Sequence, residues 1–264
     1  MVRLGVNYSP TLMALLRSQP LDIDYIKVDA DRGLEAMRIA LEHRPVLLHD
    51  LPDPFWLNYE NPFQDEQMQP SRVLLDTAQP PWLSTGIGAS AEPQGHRGSP
   101  YREADPSALQ TRDRVLSNIV RHGRRLREWA TVPLLLENFN YHPTNAYEYI
   151  CEPEVIHYIL DEIGCGLLLD LGHSQICAHN MGWPSAEAYL SSLPLREVGE
   201  VHLSHPVTKG GQMYDMHQPA EARDLSLLAW VLARTPTEAV SLEIEDVDEA
   251  TLLHQIVALR RLLS

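Results

Sequence analysis

The chain has 264 residues and a mass of 29.9 kDa, which is the size of one α/β barrel. With 44% hydrophobic and 22% charged residues it has the composition of an ordinary globular protein, and no apolar run is long enough to predict a membrane span. The formal net charge of −15 argues against binding of nucleic acid, because proteins that do so present a basic face to the phosphates. We therefore expect neither a nucleic-acid partner nor a membrane partner.

Cysteine usage and the N-terminal sequence indicate the compartment. The segment MVRLGVNYSP lacks the long apolar stretch of a secretory signal. Cysteines occur at three positions, Cys151, Cys165 and Cys177, and none has the spacing of a zinc ribbon or of a redox pair. A sparse and odd set of thiols is typical of reduced proteins, so we expect a cytoplasmic protein without disulfides.

Strands and helices are predicted in alternation along the chain. The predicted strands are RLGVNYS (3–9), IDYIKVD (23–29), VLLHDLP (46–52), PWLSTGIGAS (81–90), VPLLLEN (132–138), CGLLLDLGH (165–173), EVHLSHP (200–206) and AVSLEIED (239–246). Helices are predicted over 11–18, 31–43, 108–129, 145–164, 183–195, 224–235 and 248–263. Such alternation indicates parallel βαβ units, and eight strands predict a (β/α)8 TIM barrel that occupies residues 1–264 as a single domain.

Two long segments, near 53–80 and 91–107, carry no predicted secondary structure. Both would leave the barrel at the carboxyl ends of its strands, where we expect them to form lids or walls of a substrate site. The basic segment RHGRRLREW (121–129) has the spacing of a solvated helix face, an interpretation that we favour over a phosphate-binding patch.

Four polar residues end four consecutive predicted strands. They are Glu137, Asp170, His202 and Glu243, each separated from the next by about one βα unit. A single carboxylate after a strand is often only a helix cap. Four such residues in phase are better explained by a metal centre at the carboxyl-terminal face of the barrel, and carboxylate and imidazole ligands suit Mn, Fe or Zn.

Further ligand candidates surround these four. His173 follows Asp170 in DLGH, where Gly172 would let the chain turn sharply, and Asp215 and His217 in YDMH would point to one side of an extended segment. His49 ends the third predicted strand, with a buried structural histidine as the alternative. His205 is left open between a ligand and a loop residue. The predicted metal ligands are therefore His49, Glu137, Asp170, His173, His202, Asp215, His217 and Glu243, with Asp215, His173 and Glu243 as the predicted catalytic residues.

The segments LLLENFN, LLLDLGHSQICAHNMGW, EVHLSHP, YDMHQPAEARDLSLLAWVL and AVSLEIEDVDEATLLHQI, together with VLLHD, resemble the multinuclear non-heme iron-dependent oxidative enzymes related to the methanobactin-biosynthesis oxidase. The resemblance covers most of the chain and implies a xylose isomerase-like TIM barrel. It also implies two or three metal ions, expected to be Fe with Zn or Mn as alternatives, and oxidation with O2. The implied substrate is a peptide or a small molecule, often presented by a partner protein.

The sequence departs from the pattern of this family at three places. The family carries a His in its fourth strand, where this chain reads LSTGIGAS, and paired Asn after the sixth-strand Asp, where this chain has Gly172 and His173. Its two seventh-strand His are also spaced more widely than in HLSHP. The sequence therefore does not decide whether the chain has a third metal site.

Three other functions are compatible with the same residues. A divalent-metal sugar isomerase or epimerase would use Glu137, Asp170, His202 and Glu243 for one ion, with His173 touching the substrate. The DLGH and YDMH pairs are also similar to those of endonuclease IV-like phosphodiesterases, against which the charge of −15 counts. An inert barrel that only binds a ligand is the last alternative, and the full set of ligands disfavours it.

Overall fold

Eight parallel strands close a barrel in which neighbours along the chain are neighbours in space. The computed structural model describes residues 1–50, 57–60, 62, 65–91 and 109–264. The barrel strands are β1 Arg3–Asn7, β2 Tyr25–Asp29, β3 Val46–His49, β4 Leu83–Gly86, β5 Leu134–Glu137, β6 Gly166–Asp170, β7 Val198–Leu203 and β10 Ala239–Leu242. A separate antiparallel hairpin of β8 His205–Lys209 and β9 Gln212–Gln218 follows β7. The predicted (β/α)8 barrel is confirmed.

Helices surround the barrel between successive strands. They are α1 Pro10–Ser18, α2 Gly33–Leu41, α3 Asp65–Ala78, α4 Arg112–Ala130, α5 Pro153–Ile163, α6 Leu171–Asn180, α7 Ala186–Leu190, α8 Ala222–Leu232 and α9 Glu249–Leu263. Helix α1 begins at Pro10, one residue before the predicted range, and the Ser9 hydroxyl caps it by accepting a hydrogen bond from the Leu12 backbone N–H over 3.1 Å. In the described part of the chain, every helix is too short or too polar to cross a bilayer.

The structure corrects two of the predicted elements and leaves a third untested. The long loop near 53–80 is wrong in part, because residues 65–78 form α3, while 51–56, 61 and 63–64 lie outside the described residues. The helix expected over 145–164 begins only at Pro153, which fits the first turn of a helix because its missing N–H needs no partner there. Apart from Ala91, the loop near 91–107 also lies outside the described residues.

The segment after β7 was expected to be a loop and is instead the β8–β9 hairpin. Gly210 and Gly211, both with positive φ, form its turn between the two strands. Asn180 at the end of α6 holds the hairpin in place, since its side chain donates to the Met213 carbonyl (3.1 Å) and accepts from the Met213 N–H (3.0 Å). These bonds fix β9, and with it the two predicted ligands in YDMH, against the barrel.

The barrel interior is apolar at its floor and polar above it. The floor is a buried cluster of Tyr25, Leu47, Trp82, Leu135, Leu168 and Ala239. Because side chains alternate along a strand, the residues two positions further on face the same interior. They are Lys27, His49, Ser84, Glu137, Asp170 and Ser241, all buried. The strand pattern thus places a layer of polar groups directly above the apolar floor.

Candidate metal centre

Four of the predicted ligands converge at the carboxyl ends of β5, β6, β7 and β10. Glu137, Asp170, His202 and Glu243 are buried, and one ligand atom from each lies within 4.8 Å of every other. Within the described residues, a second group of His49, Glu137 and His202 meets the same criterion and shares two members with the first. We call these the four-ligand cluster and the His49 cluster.

His202 lies at the centre of both clusters. Its Nδ1 atom is 3.2 Å from Glu137 Oε1 and 3.0 Å from Glu243 Oε2, and the ring is inaccessible to solvent. Burial lowers the pKa of His202, but the carboxylates of Glu243 and Glu137 outweigh it and raise that pKa well above its ordinary value. The carboxylates therefore stabilise a positive charge at the position where a metal ion would be held.

Asp170 provides the test of whether this set fits a metal ion. Its Oδ1 atom accepts the His173 backbone N–H over 2.6 Å and so caps α6, whereas the buried Oδ2 atom accepts no hydrogen bond from any described residue. Both ring nitrogens of His202 are also buried, and neither makes a hydrogen bond of good geometry to the part of the chain that the structure describes. Buried polar atoms of this kind normally have a partner, and a cation among them would supply one. The donor set therefore fits a metal ion.

The cap on α6 corrects the expected role of Gly172. A sharp turn after Asp170 was predicted, but α6 begins directly after β6 and Gly172 lies in its first turn. A side chain there would come within 3.0 Å of the Ser204 hydroxyl and 3.2 Å of Asp170 Oδ1. Glycine is thus suited to this position because it leaves room for a predicted ligand.

Crowding of carboxylates changes the acidity of Asp170. Burial raises its pKa to about 6, with Glu137, Asp215 and Glu243 adding to the rise and His173 opposing it. The carboxyl is therefore destabilised as an anion when no metal ion is bound.

Asp215 joins two histidines beside the four-ligand cluster. Its Oδ2 atom is 3.3 Å from His173 Nε2 and 3.0 Å from His217 Nε2. Asp215 and His217 both lie on β9, but His217 has a left-handed φ of 44°, so the strand is not extended at that residue. We call His173, Asp215 and His217 the outer group. It is adjacent to the four-ligand cluster, since His173 Nδ1 is 3.8 Å from Glu137 Oε1.

The outer group is strongly polarised. Burial raises the pKa of Asp215, but hydrogen bonds from His173 and His217 hold it below its ordinary value. Burial lowers the pKa of His217, yet Glu243, Asp215 and Glu245 raise it to about 12. An anion with two imidazolium partners results, an arrangement in which a metal ion can replace protons.

His49 and Ser84 meet on the opposite side of the centre. His49 Nε2 is 3.5 Å from Glu137 Oε2, and its Nδ1 is 2.9 Å from the Ser84 hydroxyl. The His49 ring packs edge-on against His202 with centroids 5.0 Å apart. Burial and the Lys27 ammonium lower the pKa of His49, whereas Asp50 and Glu137 raise it, with a net rise. Ser84 of β4 thus contributes a hydroxyl that orients the His49 imidazole.

His205 lies outside these groups. Its Nδ1 is 2.8 Å from Asp224 Oδ2, and Asp224 also accepts the Glu221 N–H over 2.8 Å in the capping box of α8. The side chain therefore ties β8 to α8.

Sequence reasoning missed three residues of the centre: Lys27, Asn138 and Glu200. Lys27 is fully buried, with Nζ at 2.8 Å from Asp29 Oδ1 and 2.5 Å from Glu243 Oε1. Burial lowers the pKa of Lys27, but these two carboxylates raise it well above its ordinary value. A lysine between apolar residues in IKV, at an inward-facing position of β2, was the available signal.

Asn138 and Glu200 contact predicted ligands without belonging to either cluster. Asn138 Oδ1 accepts the Asp170 N–H over 2.9 Å, and its carbonyl lies 2.8 Å from His173 Nδ1. Glu200 Oε1 lies 3.4 Å from His202 Nε2 and accepts the Ser241 hydroxyl over 2.6 Å. Partners of this kind orient metal ligands and set their basicity.

Solved structures of similar fold include a xylose isomerase domain protein and a D-psicose 3-epimerase. The chain aligns with a xylose isomerase domain protein from Alicyclobacillus acidocaldarius at a TM-score of 0.63 and 14% identity, covering 100% of this chain and 98% of that one. It aligns with D-psicose 3-epimerase from Clostridium cellulolyticum at a TM-score of 0.63 and 12% identity, covering 99% and 98%. At these identities the likeness shows the fold alone, a xylose isomerase-like TIM barrel.

Sequence comparisons identify the family. A UPF0276 protein of Bordetella pertussis is 26% identical over 254 residues, covering 91% of this chain and 85% of that protein. A UPF0276 protein of Paraburkholderia phytofirmans is 32% identical over 179 residues, or 66% of this chain, and the match spans only about half (52%) of that relative. The family model described as "RiPP precursor modification enzyme MbnB/TglH/ChrH" matches residues 3–261. The chain therefore belongs to the MbnB/TglH/ChrH family of RiPP precursor modification enzymes.

Proposed function

We propose that this protein is a metal-dependent oxidative enzyme with a multinuclear non-heme iron centre, and that it acts with O2 on a peptide or small-molecule substrate. The observation that carries the proposal is the adjacency of the outer group to the four-ligand cluster, with His173 Nδ1 at 3.8 Å from Glu137 Oε1. One ion would need only the four-ligand cluster. The additional imidazoles and carboxylate of the outer group support a second ion.

Glu137, Asp170, His202 and Glu243 would hold the first ion, and His173, Asp215 and His217 would hold a second. Carboxylate and imidazole ligands without thiolates suit iron in this setting. Bound iron would supply the one-electron chemistry with O2 that amino-acid side chains lack.

The chain itself orients the ligands and manages protons. Because His173 Nδ1 faces the Asn138 carbonyl at 2.8 Å, its Nε2 is the atom directed at Asp215. Asp215 Oδ2 can in turn hold a proton shared with His217 Nε2, 3.0 Å away. In this scheme Asp215 and His173 hold protons at the edge of the centre only while the second ion is absent, and Glu243 fixes His202.

A cavity beside the outer group supports access for a substrate. It has a volume of about 350 Å³ and is lined by Asn7, Ser9, Arg32, Glu245 and Asp246 among others. Glu245 Oε1 is 3.8 Å from His217 Nδ1, so the cavity adjoins the outer group. Asn7 lines this cavity, and its buried Oδ1 makes no hydrogen bond within the described part of the chain. A peptide segment, alone or presented by a partner protein, suits such an open site.

Elemental analysis of protein purified without oxygen, followed by O2 uptake, tests the proposal. We expect two or more irons per chain, visible absorption, and O2 consumption that requires a substrate. The Glu137→Ala and His202→Ala variants should lose iron. Less than one metal per chain after reconstitution, or metal binding unchanged in both variants, would contradict the proposal.

A sugar isomerase or epimerase with one divalent ion is the second candidate. The completeness of the four-ligand cluster favours it, because Glu137, Asp170, His202 and Glu243 suffice for one ion. The test is exchange of the C2 or C3 proton of a ketose with D2O by the Mn²⁺-loaded protein. Exchange that persists in Asp215→Ala would favour this function over the oxidase.

A further inference from the structure

Lys27 places a positive charge at the edge of the metal centre. The chain has two lysines, Lys27 and Lys209, and Lys209 is exposed on the hairpin while Lys27 is 1% exposed. Strand β1 separates β2 from β10, so the Lys27 side chain crosses β1 inside the barrel to reach Glu243. A buried lysine is costly unless carboxylates surround it, and Asp29 and Glu243 do so here.

The ammonium and the four-ligand cluster share Glu243. Its Oε1 atom is 2.5 Å from Lys27 Nζ, and its Oε2 atom is 3.0 Å from His202 Nδ1. One oxygen is thus committed to the lysine, while the other remains for an ion in the four-ligand cluster. Lys27 therefore leaves the four-ligand cluster complete.

The His49 cluster contains less negative charge than the four-ligand cluster. Its single carboxylate, Glu137, is shared with the four-ligand cluster, and its other members are the neutral ligands His49 and His202. The neighbouring strand β4 adds only the Ser84 hydroxyl, which is 2.9 Å from His49 Nδ1. Asp50 adds an exposed carboxylate, with Oδ2 at 3.8 Å from His49 Nε2, where water screens its charge. A second divalent ion here would face both the first ion and the Lys27 charge, with half of Glu137 as its one buried carboxylate. Charges so close together in a buried site repel strongly.

We infer that the Lys27 ammonium takes the place of a metal ion at the His49 cluster and thereby limits the number of ions that the centre holds. Ions then occupy the four-ligand cluster and the outer group, and His49 serves to orient Glu137 and His202. This inference rests on the proposed function, in that it assumes a metal ion in the four-ligand cluster.

The test is the number of Mn²⁺ ions bound per chain, measured by elemental analysis after gel filtration and by calorimetric titration. Lys27→Gln removes the charge, and we expect it to bind one more ion than the wild type. Lys27→Arg keeps the charge and should retain the wild-type number, as should the surface control Lys209→Gln. Electron paramagnetic resonance should show a magnetically coupled Mn²⁺ pair in Lys27→Gln, because the added ion would share Glu137 with the first.

His49 variants locate the added ion. In the wild-type background His49→Gln should leave the number of bound ions unchanged, and in the Lys27→Gln background it should remove the extra one. A folded Lys27→Gln protein with the wild-type number of ions would overturn the inference. So would loss of one ion from the wild type on His49→Gln, a result that can be obtained even if Lys27→Gln fails to fold.

Failure of the proposed function would look different. If the wild type held no Mn²⁺ or Fe²⁺, the shared assumption of an ion in the four-ligand cluster would be wrong, and the oxidase and the role of Lys27 would fall together. If the wild type held two ions without consuming O2, the predictions for Lys27 and His49 would still be tested by the ion count alone.

Discussion

Trp82 donates its indole N–H to Glu200 Oε2 over 2.7 Å, and this bond links the apolar floor of the barrel to the metal centre. The other oxygen of Glu200 accepts the Ser241 hydroxyl and lies 3.4 Å from His202 Nε2. Two donors therefore fix a buried carboxylate behind the central imidazole. Burial raises the pKa of Glu200, but His202, Ser241 and Trp82 hold it below its ordinary value, so the group remains an anion.

Replacement of Glu200 by Gln should weaken metal binding without removing a ligand. The amide keeps the shape but loses the charge that raises the basicity of His202. We expect the affinity for Mn²⁺ or Fe²⁺ to fall by about 10- to 100-fold, the range seen when such supporting partners are changed. Calorimetric titration measures the effect, with the exposed Glu238→Gln as the matched control. An unchanged affinity in Glu200→Gln would show that Glu200 serves only packing.

Asp170→Asn should stabilise the metal-free protein above pH 6. The folded-state pKa of Asp170 is raised to about 6 from an unfolded value of about 3.9, so the folded state binds the proton more tightly. The contribution of Asp170 to stability is therefore largest below about pH 4 and is lost as the pH rises through 6. A neutral Asn avoids that loss, which amounts to at most about 3 kcal/mol at pH 8 and vanishes near pH 4.

Urea unfolding of metal-free wild type and Asp170→Asn at pH 4 and pH 8 checks this sign. Asp170→Ala separates the charge from the helix cap, since it also removes the acceptor for the His173 N–H and should cost about 1 kcal/mol relative to Asn. Added Mn²⁺ should stabilise the wild type and neither variant. If the wild type were the more stable protein at pH 8 without metal, the assigned pKa direction would be incorrect.

The barrel could be predicted from the sequence because its signals are local and repeated. Each strand is a short apolar run that ends in a polar residue, and the chain alternates these runs with amphipathic helices. The same pattern placed Glu137, Asp170, His202 and Glu243 in phase, and parallel strands then bring them together at one face of the barrel.

What could not be predicted depends on contacts across the barrel. Closure of the barrel places β2 and β10 on either side of β1, and this brings Lys27 to Glu243. No local segment of the sequence shows that the two strands lie so close. Likewise, the sequence predicts His217 as a ligand and leaves His205 open between a ligand and a loop residue. Only the hairpin register shows that His217 meets Asp215 while His205 pairs with Asp224 on α8.

His217 and His205 should therefore respond differently to the same substitution. His217→Gln removes one of the two imidazoles on Asp215, and we expect loss of one bound ion or at least a tenfold weaker affinity for it. His205→Gln should leave metal binding unchanged and lower the free energy of unfolding by about 1 kcal/mol, because the buried Asp224 loses one of its hydrogen-bond partners and keeps Gln175 and the Glu221 N–H. Ion counts and urea unfolding of the two variants provide the comparison. Equal metal loss in both would place His205 in the centre after all.

His142 should make the metal-free protein sensitive to mild acid. Its ring is buried and stacks on Tyr214 with centroids 5.2 Å apart. Burial, with the neighbouring His173 charge, lowers the pKa of His142 to about 4 from an ordinary value of about 6.5. The unfolded chain therefore takes up this proton first, and stability that is fully present above pH 6.5 is lost as the pH falls towards 4.

His142→Phe keeps the stacked ring without the titration, so its free energy of unfolding should fall less between pH 7 and pH 4, by up to about 3 kcal/mol. Parallel pH profiles for wild type and variant in urea unfolding would mean that His142 is protonated in the folded state.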